Sequence, residues 1–393
     1  MFSVDNLYHI LQQNLLFPLK INCFQTKFVG DKFNEAFVPT MSNVAKDTGM
    51  PYGWLPSDHL HIFFWDQEPF KQELFDDAVR RENDLFLIYK AKAIAYSDVC
   101  TTTVSDDNWY YFFHGFAALD WYRNVQYFDN LKNKKFTKVF ITLNRLVTQD
   151  RSYRLWLVAA LLDRGLDRQG LISCALQDNF GGSWKNEIFS TGCQLTKEQR
   201  KLVYQQFSKL DGDLNLDFDT TPGAASAEMG VEQMKLFQQA FVHIVTETVF
   251  YPTNLHLTEK IFRPIVVYRP FILAGAAGNL AYLRRYGFQT FDRWWDESYD
   301  AEPDAERRLA MIVEQVERLC RLSDSELNTM YQEMLPVLEH NRSHFYGQFR
   351  QIIVDEMLDN FVVMIDRFNQ KQGRIIHDVG HVDIDHLKRL LGS

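Results

Sequence analysis

Short apolar runs alternate along this chain with stretches of helical periodicity, and that alternation restricts the fold more than any other feature. His61-Ile-Phe-Phe-Trp65, Lys138-Val-Phe-Ile-Thr-Leu143, Gly170–Ala175, Phe241–Thr246 and Pro270–Ala274 read as strands. Ala93–Tyr96 and Leu85–Tyr89 read as a further strand pair or bend. Between them, Gln72–Glu82, Tyr153–Arg164 and the start of Leu257–Val267 read as helices, and the chain from Ala305 onward is mostly helical by periodicity. Trp109–Tyr122 also predicts a helix, with Phe112, Phe116 and Leu119 at helical spacing. Strands and helices in alternation specify an α/β protein.

The alternation is interrupted once by a polar, basic segment, Asn130–Lys135 (NLKNKK), and then restarts with a fresh strand–loop–helix unit. A length of 393 residues accommodates two domains of ordinary size. The expected division is therefore 1–135, 136–345 and a C-terminal helical segment and tail, 346–393.

Composition narrows the class. Hydrophobic residues at 46% and charged residues at 24% describe a globular chain. The most apolar stretch, Ile265–Leu283, is broken by Arg269 and Pro270, which argues against a membrane span. Asp5 and His9 stand where a signal peptide needs a basic start and an unbroken apolar segment. The 5 cysteines are scattered and form no CxxC, so neither a disulfide framework nor a zinc knuckle is indicated. A cytoplasmic protein with no membrane partner is expected. The net charge of −9 weighs against a nucleic-acid partner, although a local basic cleft is compatible with an acidic exterior.

The most informative stretch runs from Phe241 to Phe291: a strand ending in VTET (Val245–Thr248), a loop, TEK (Thr258–Lys260), and a strand closing on a Gly/Ala loop, Gly275–Gly278. Thr258 suits a helix N-cap, with Glu259 and Lys260 in the first turn. Pro264 should kink or shorten that helix. Lys opposes the dipole at a helix N-terminus, and its presence is explained if an anion such as a pyrophosphate binds there. Glu259 would then accept from ribose hydroxyls. Without the surrounding pattern, both side chains read equally well as an exposed first turn.

The TEK segment with its flanking strands resembles the donor-binding region of α1,3-fucosyltransferases and exostosin-like glycosyltransferases. It is similar also to glycosyltransferase-like proteins of tailed phages, which carry TEK…KP…PF and LRxxGFxTF runs; here Arg263 precedes Pro264 where they have Lys. The resemblance implies a GT-B fold, two Rossmann-like domains facing a cleft, with the nucleotide-sugar donor held in the C-terminal one. It implies that Glu247, Thr258, Glu259, Lys260 and Gly275 line the donor site. It extends to Phe140–Arg145, whose Asn144 opens the donor domain, and to a diphosphate-reaching arginine, Arg154 first and Arg151 second. Trp65-Asp66-Gln67-Glu68-Pro69 resembles a loop that supplies the catalytic base, Glu68 or failing that Asp66. Arg154 also reads as a helix-surface partner of Asp150, and Glu68-Pro69 as an ordinary turn into a helix.

The implied reaction moves a sugar from a nucleoside-diphosphate sugar to an acceptor hydroxyl, most simply by inverting displacement. No cofactor is implied, and fixed cations in place of a metal make metal-independence the expectation. For the acceptor, the likeness to phage proteins suggests hydroxymethylated bases of DNA, contacted by Lys132, Lys134, Lys135, Arg284 and Arg285. The acidic net charge favours a glycan instead. Two other classes remain open: a non-catalytic nucleotide-sugar-binding protein, and a metal-dependent hydrolase using His340, His344 or the tail histidines His377, His381 and His386. The acidic run Asp211–Asp219 lacks the Gly and Glu that an EF-hand loop needs and reads as a solvated loop.

Overall fold

A computed structural model of the chain describes residues 21–26, 60–65, 93–97, 109–111, 113, 117–128, 131–132, 136–177, 182–212, 214, 231–251 and 255–371. The chain divides into two compact units, Met1–Asp120 with Arg350–Ser393, and Trp121–Phe349.

In the first unit, β1 (Ile21–Thr26), β2 (Leu60–Trp65), β3 (Ala93–Ser97) and β4 (Trp109–Tyr111) form a four-stranded sheet in the order β1-β2-β3-β4, parallel throughout. The helix expected over Trp109–Tyr122 is corrected here. Trp109-Tyr-Tyr111 is an aromatic, strand-favouring triplet that pairs with Ala95–Ser97, and among the described residues of this stretch the α-helix is Ala117–Trp121 (α1). The expected elements at Gln72–Glu82 and Leu85–Tyr89 lie outside the described residues.

The second unit holds another four-stranded sheet. Strands β5 (Lys138–Asn144), β6 (Gly170–Cys174), β7 (Ala240–Thr246) and β8 (Phe271–Ala274) are all parallel and lie in the order β6-β5-β7-β8. Central strand β7 (AFVHIVT) is buried at every position, which is why it reads as a continuous apolar run and not as an alternating one. Helix α2 (Tyr153–Asp163) follows β5 and is nearly all buried, and the chain leaves it through Gly165 at φ 65. Gly170 at the start of β6 admits no side chain: a Cβ there would meet the Phe140 ring at 2.2 Å.

Beyond β6 come α3 (Trp184–Phe189), α4 (Lys197–Phe207) and α5 (Val231–Gln239). The expected TEK helix is α6 (Glu259–Val266), N-capped by Thr258. Pro264 cannot donate to the helix ladder, and α6 stops two residues later; Arg269 N–H then bonds back to Pro264 O at 2.9 Å. Helices α7 (Asn279–Arg285), α8 (Ala305–Cys320), α9 (Asp324–Tyr346) and α10 (Gln348–Lys371) complete the described chain. No described helix is long and apolar enough to cross a membrane.

The second compact unit begins at Trp121, ahead of the expected division at 135. Tyr122 O accepts from the Tyr346 hydroxyl at 2.9 Å, Val125 O accepts from Arg342 at 3.1 Å, and Phe136 packs edge-on against Phe241 and Tyr331. The C-terminal division also moves slightly, since α9 packs on α6 in the second unit while the chain from Arg350 groups with the first.

His243, buried inside β7 against Phe237, sets a pH dependence. Burial, with the Arg263 guanidinium adding to it, holds its imidazole well below the usual histidine range. The folded state therefore keeps His243 neutral where the unfolded chain, titrating near ~6.5, takes up a proton. Stability contributed by this group is complete above that value and declines as pH falls towards the folded value. The urea midpoint of the wild type should fall between pH 7 and pH 5, and His243→Leu should show a shallower decline. Parallel slopes would show that His243 is not the titrating group.

Candidate functional site

In a sheet ordered β6-β5-β7-β8, the connections from β5 and from β7 run to opposite sides. Ligands of open parallel sheets bind outside the carboxyl ends of the strands at such a reversal. The residues singled out from the sequence fall at this edge. Asn144 ends β5, Glu247 follows β7, Gly275 follows β8, and Thr258–Lys260 begin α6.

Glu247 has no solvent exposure. Its Oε2 accepts from the Thr258 hydroxyl at 2.6 Å and its Oε1 from the Thr258 N–H at 3.2 Å. The same hydroxyl oxygen accepts from Lys260 Nζ at 3.0 Å and, as the helix cap, from Lys260 N–H at 3.4 Å. A hydrogen-bond chain thus runs from the ammonium through Thr258 to a buried carboxylate, each bond polarising the next. Lys260 Nζ also donates to Thr248 Oγ1 at 3.4 Å and pairs with Glu259 Oε1 at 3.1 Å. These partners offset the unfavourable placement of a cation at a helix N-terminus. The Lys260 side chain retains 28% exposure, whereas that of Glu259 retains 9%, so the ammonium is the more reachable charge of the pair.

Arg154 occupies a different place from the one the sequence suggested. It is 3% exposed, and its terminal nitrogens donate to Leu146 O at 2.8 Å, Thr246 O at 2.9 Å and Glu247 O at 3.0 Å. Its guanidinium fastens the loop after β5 to the end of β7, across the reversal itself. Neighbouring Tyr153 donates to Glu247 O at 2.6 Å, and burial pushes its hydroxyl up to about 12. Arg151 stands half-buried in the same loop, one turn before α2, and is the arginine placed nearer the surface.

Asn144 and Gly275 act beneath the site. Asn144, fully buried, donates to Thr142 Oγ1 and Ser173 O, both at 3.2 Å, and accepts from Thr246 Oγ1 at 3.0 Å, joining the ends of β5, β6 and β7. At Gly275 a Cβ would meet Asn279 Nδ2 at 2.6 Å. The Asn279 amide donates to His256 O at 3.3 Å and accepts from His256 N–H at 3.2 Å, which fixes the strand of chain leading into TEK.

Of the helix N-termini on this edge, those of α6 and α7 are not equivalent. That of α7 is already filled by an internal carboxylate, since Asp300 accepts from Leu280 N–H at 2.8 Å and Ala281 N–H at 3.1 Å. That of α6 carries Lys260. Sequence reading did not find Arg308, 2% exposed, whose guanidinium donates to Gly275 O at 3.1 Å and to Glu302 O at 2.7 Å and also reaches Phe250 O. Arg308 lies in an amphipathic helix where nothing in the local pattern separates it from a surface cation. Thr248 and Tyr153 adjoin residues that were singled out, and their neighbours were the available signal.

Glu68 and Asp66 lie outside the described residues, as do Lys134, Lys135 and the tail histidines. Of the cations considered for DNA, Lys132 pairs with Glu339, Arg284 with Glu297, and Arg285 lies 4.9 Å from the Tyr282 ring. His340 and His344 each bond a backbone carbonyl through Nε2, to Gly287 O at 2.9 Å and Tyr286 O at 2.6 Å. Among the described residues no group of three or more His, Cys, Asp or Glu is arranged to hold a metal ion.

The sequence matches no protein-family model. No curated protein matches it either. Among solved structures, the N-terminal domain of trehalose-6-phosphate phosphatase from Candida albicans is similar over 86% of this chain and 70% of that one, at 11% identity and a TM-score of 0.37. Likeness at that level assigns neither fold nor activity.

The Thr258 hydroxyl is the joint of the cluster, which gives a direct test. Thr258→Val removes the donor to Glu247 and the acceptor for Lys260 while keeping the shape. Leaving a buried carboxylate short of a partner should cost about 1–3 kcal/mol of stability, read from urea denaturation. Thr258→Ser should restore most of it; equal losses in both variants would mean that the hydroxyl is not what matters.

Proposed function

We propose that the second unit binds the diphosphate of a nucleotide sugar at the carboxyl edge of its sheet. The protein is then a glycosyltransferase of the two-domain GT-B kind. The observation that carries this reading is Lys260, a partly exposed ammonium held by Thr258, Thr248 and Glu259 at the N-terminus of α6 and beside the reversal in strand order. A nucleoside diphosphate leaving a sugar develops negative charge on its phosphate oxygens. A fixed cation together with the positive end of a helix stabilises that charge without reorganising. Arg151, in the loop after β5, is the second cation on this edge, and Arg154 positions the loop. Glu259 is the candidate for the ribose hydroxyls.

The acceptor hydroxyl must lose a proton as it attacks, and Glu68, with Asp66 as the alternative, is the base proposed from the sequence. The acceptor itself is a hydroxyl of a glycan or of a hydroxymethylated DNA base. Incubating each with a mixture of nucleotide sugars and weighing the products by mass spectrometry distinguishes the two.

Lys260→Ala should lower kcat/KM for donor hydrolysis or transfer by a factor on the order of 100 to 1000, as loss of one charge-stabilising donor typically does. It should also weaken nucleoside-diphosphate binding in calorimetry while the melting temperature stays close to that of the wild type. Unaltered diphosphate affinity would remove the site from this edge. Glu68→Gln should abolish transfer and leave donor affinity intact, because a base acts on the acceptor; wild-type turnover at saturating substrates would exclude Glu68.

A further inference from the structure

Helices α3 and α4 carry a surface that the donor site does not use. Phe189 is 73% exposed and Tyr204 49% exposed, and their rings adjoin, with centroids 6.3 Å apart. Trp184 lies buried behind them, 6.2 Å from Tyr204 and 5.5 Å from Phe207, so the two exposed rings stand on a packed aromatic base. Leaving two large aromatic side chains in water is unfavourable by the area they expose, which makes such a pair informative where a single exposed ring is not.

The surroundings are cationic. Lys185 lies 5.4 Å from the Trp184 ring. Lys197, Lys201 and Tyr204 succeed one another at helical spacing along one side of α4, and all three are exposed. None of these lysines forms an ion pair among the described residues. Of the two carboxylates between 184 and 209, Glu187 is buried and only Glu198 is exposed. Asp150 and Asp163 bond Gln194 and Gln206 at the two ends of α4, and between them a chain of net charge −9 presents Lys197, Lys201 and Tyr204 along one side as a positive, aromatic face.

We propose that α3 and α4 form a docking surface for single-stranded nucleic acid, with Lys185, Lys197 and Lys201 contacting phosphates and Phe189 and Tyr204 stacking on bases. Lysines that track a phosphodiester backbone beside aromatic rings that take unpaired bases are the combination by which such strands are held without sequence preference. A duplex conceals its base faces and would leave both rings without a partner. A second copy of this chain, meeting this face about a two-fold axis, would set lysine against lysine. The proposal stands apart from sugar transfer, since binding here needs no donor.

The test uses the full chain and a fluorescently labelled oligothymidylate of about 12 nucleotides, within the range of known single-strand site sizes. Fluorescence anisotropy should report binding at low salt that weakens steeply as salt rises. Phe189→Ala/Tyr204→Ala should weaken binding about tenfold or more with little change in salt dependence. Lys197→Gln/Lys201→Gln should reduce the slope of log K against log salt by about 1.4, two phosphate contacts at ~0.7 each. Melting temperatures of both variants should match the wild type, because every altered side chain is exposed. The same oligonucleotide annealed to its complement should bind more weakly and be indifferent to the aromatic variant. The proposal is overturned if the wild type does not bind the single strand at low salt, or if the aromatic variant binds it unchanged. Tighter binding of heparin than of the oligonucleotide also overturns it and assigns the face to an acidic glycan.

Discussion

The described site depends on one contact, the carboxylate of Glu247 against Thr258. A carboxylate without solvent exposure is costly unless its oxygens are satisfied, and both are met here by a single residue, through its hydroxyl and its N–H. That requirement fixes where α6 begins. Because Thr258 is also the helix cap and the acceptor for Lys260 Nζ, the position of the ammonium follows from the burial of the carboxylate. The negative charge also lies at the positive end of α6, where the helix dipole favours it.

A second constraint keeps the loops around this contact in place. Loops at the carboxyl edge of a parallel sheet carry carbonyl groups that the ladder does not use, and buried carbonyls need donors. Tyr153, Arg154 and Arg308 supply them. Tyr153 and Arg154, adjacent in the first turn of α2, reach the end of β7, and Arg308 on α8 reaches the segments after β7 and β8, at Phe250 and Gly275. Multidentate guanidinium groups suit this task because their donors are fixed in a plane. The edge is therefore held by buried cations, while Lys260 and Arg151 stay partly exposed. This division between buried and partly exposed cations is the ground on which an anionic ligand is proposed beside Lys260.

Much of this was legible in the sequence, and the exceptions have physical causes. Strands β5, β7 and β8 announced themselves because each is buried on both faces and therefore apolar along its length, β8 even at the sheet edge, and the Thr258 cap announced α6 because capping chemistry is local. Glu247, Thr258, Glu259 and Lys260 could be grouped because they belong to two short segments joined by a strand–loop–helix turn. Arg154 was misplaced because sequence cannot tell a buried guanidinium bonded to carbonyls from an exposed one waiting for phosphate. Arg308 was invisible for the same reason, and it lies more than 30 residues further along the chain from Gly275, whose carbonyl it binds. Trp109–Tyr122 looked helical by the spacing of Phe112, Phe116 and Leu119, yet its first three residues, Trp109–Tyr111, pair with β3. The aromatic face of α3 and α4 could not be read at all, because exposure of Phe189 and Tyr204 is a property of packing.

The central claim, that this edge of the second unit receives a nucleoside diphosphate, is tested most directly by hydrogen–deuterium exchange of the full chain with and without saturating uridine, guanosine or adenosine diphosphate. With the nucleotide that binds, protection should concentrate in peptides covering 145–153 and 256–262, the two segments that bond Glu247 through Tyr153 and Thr258, and be absent from α9. Protection confined to other segments, or no protection in these two with any of the three nucleotides, would contradict the account.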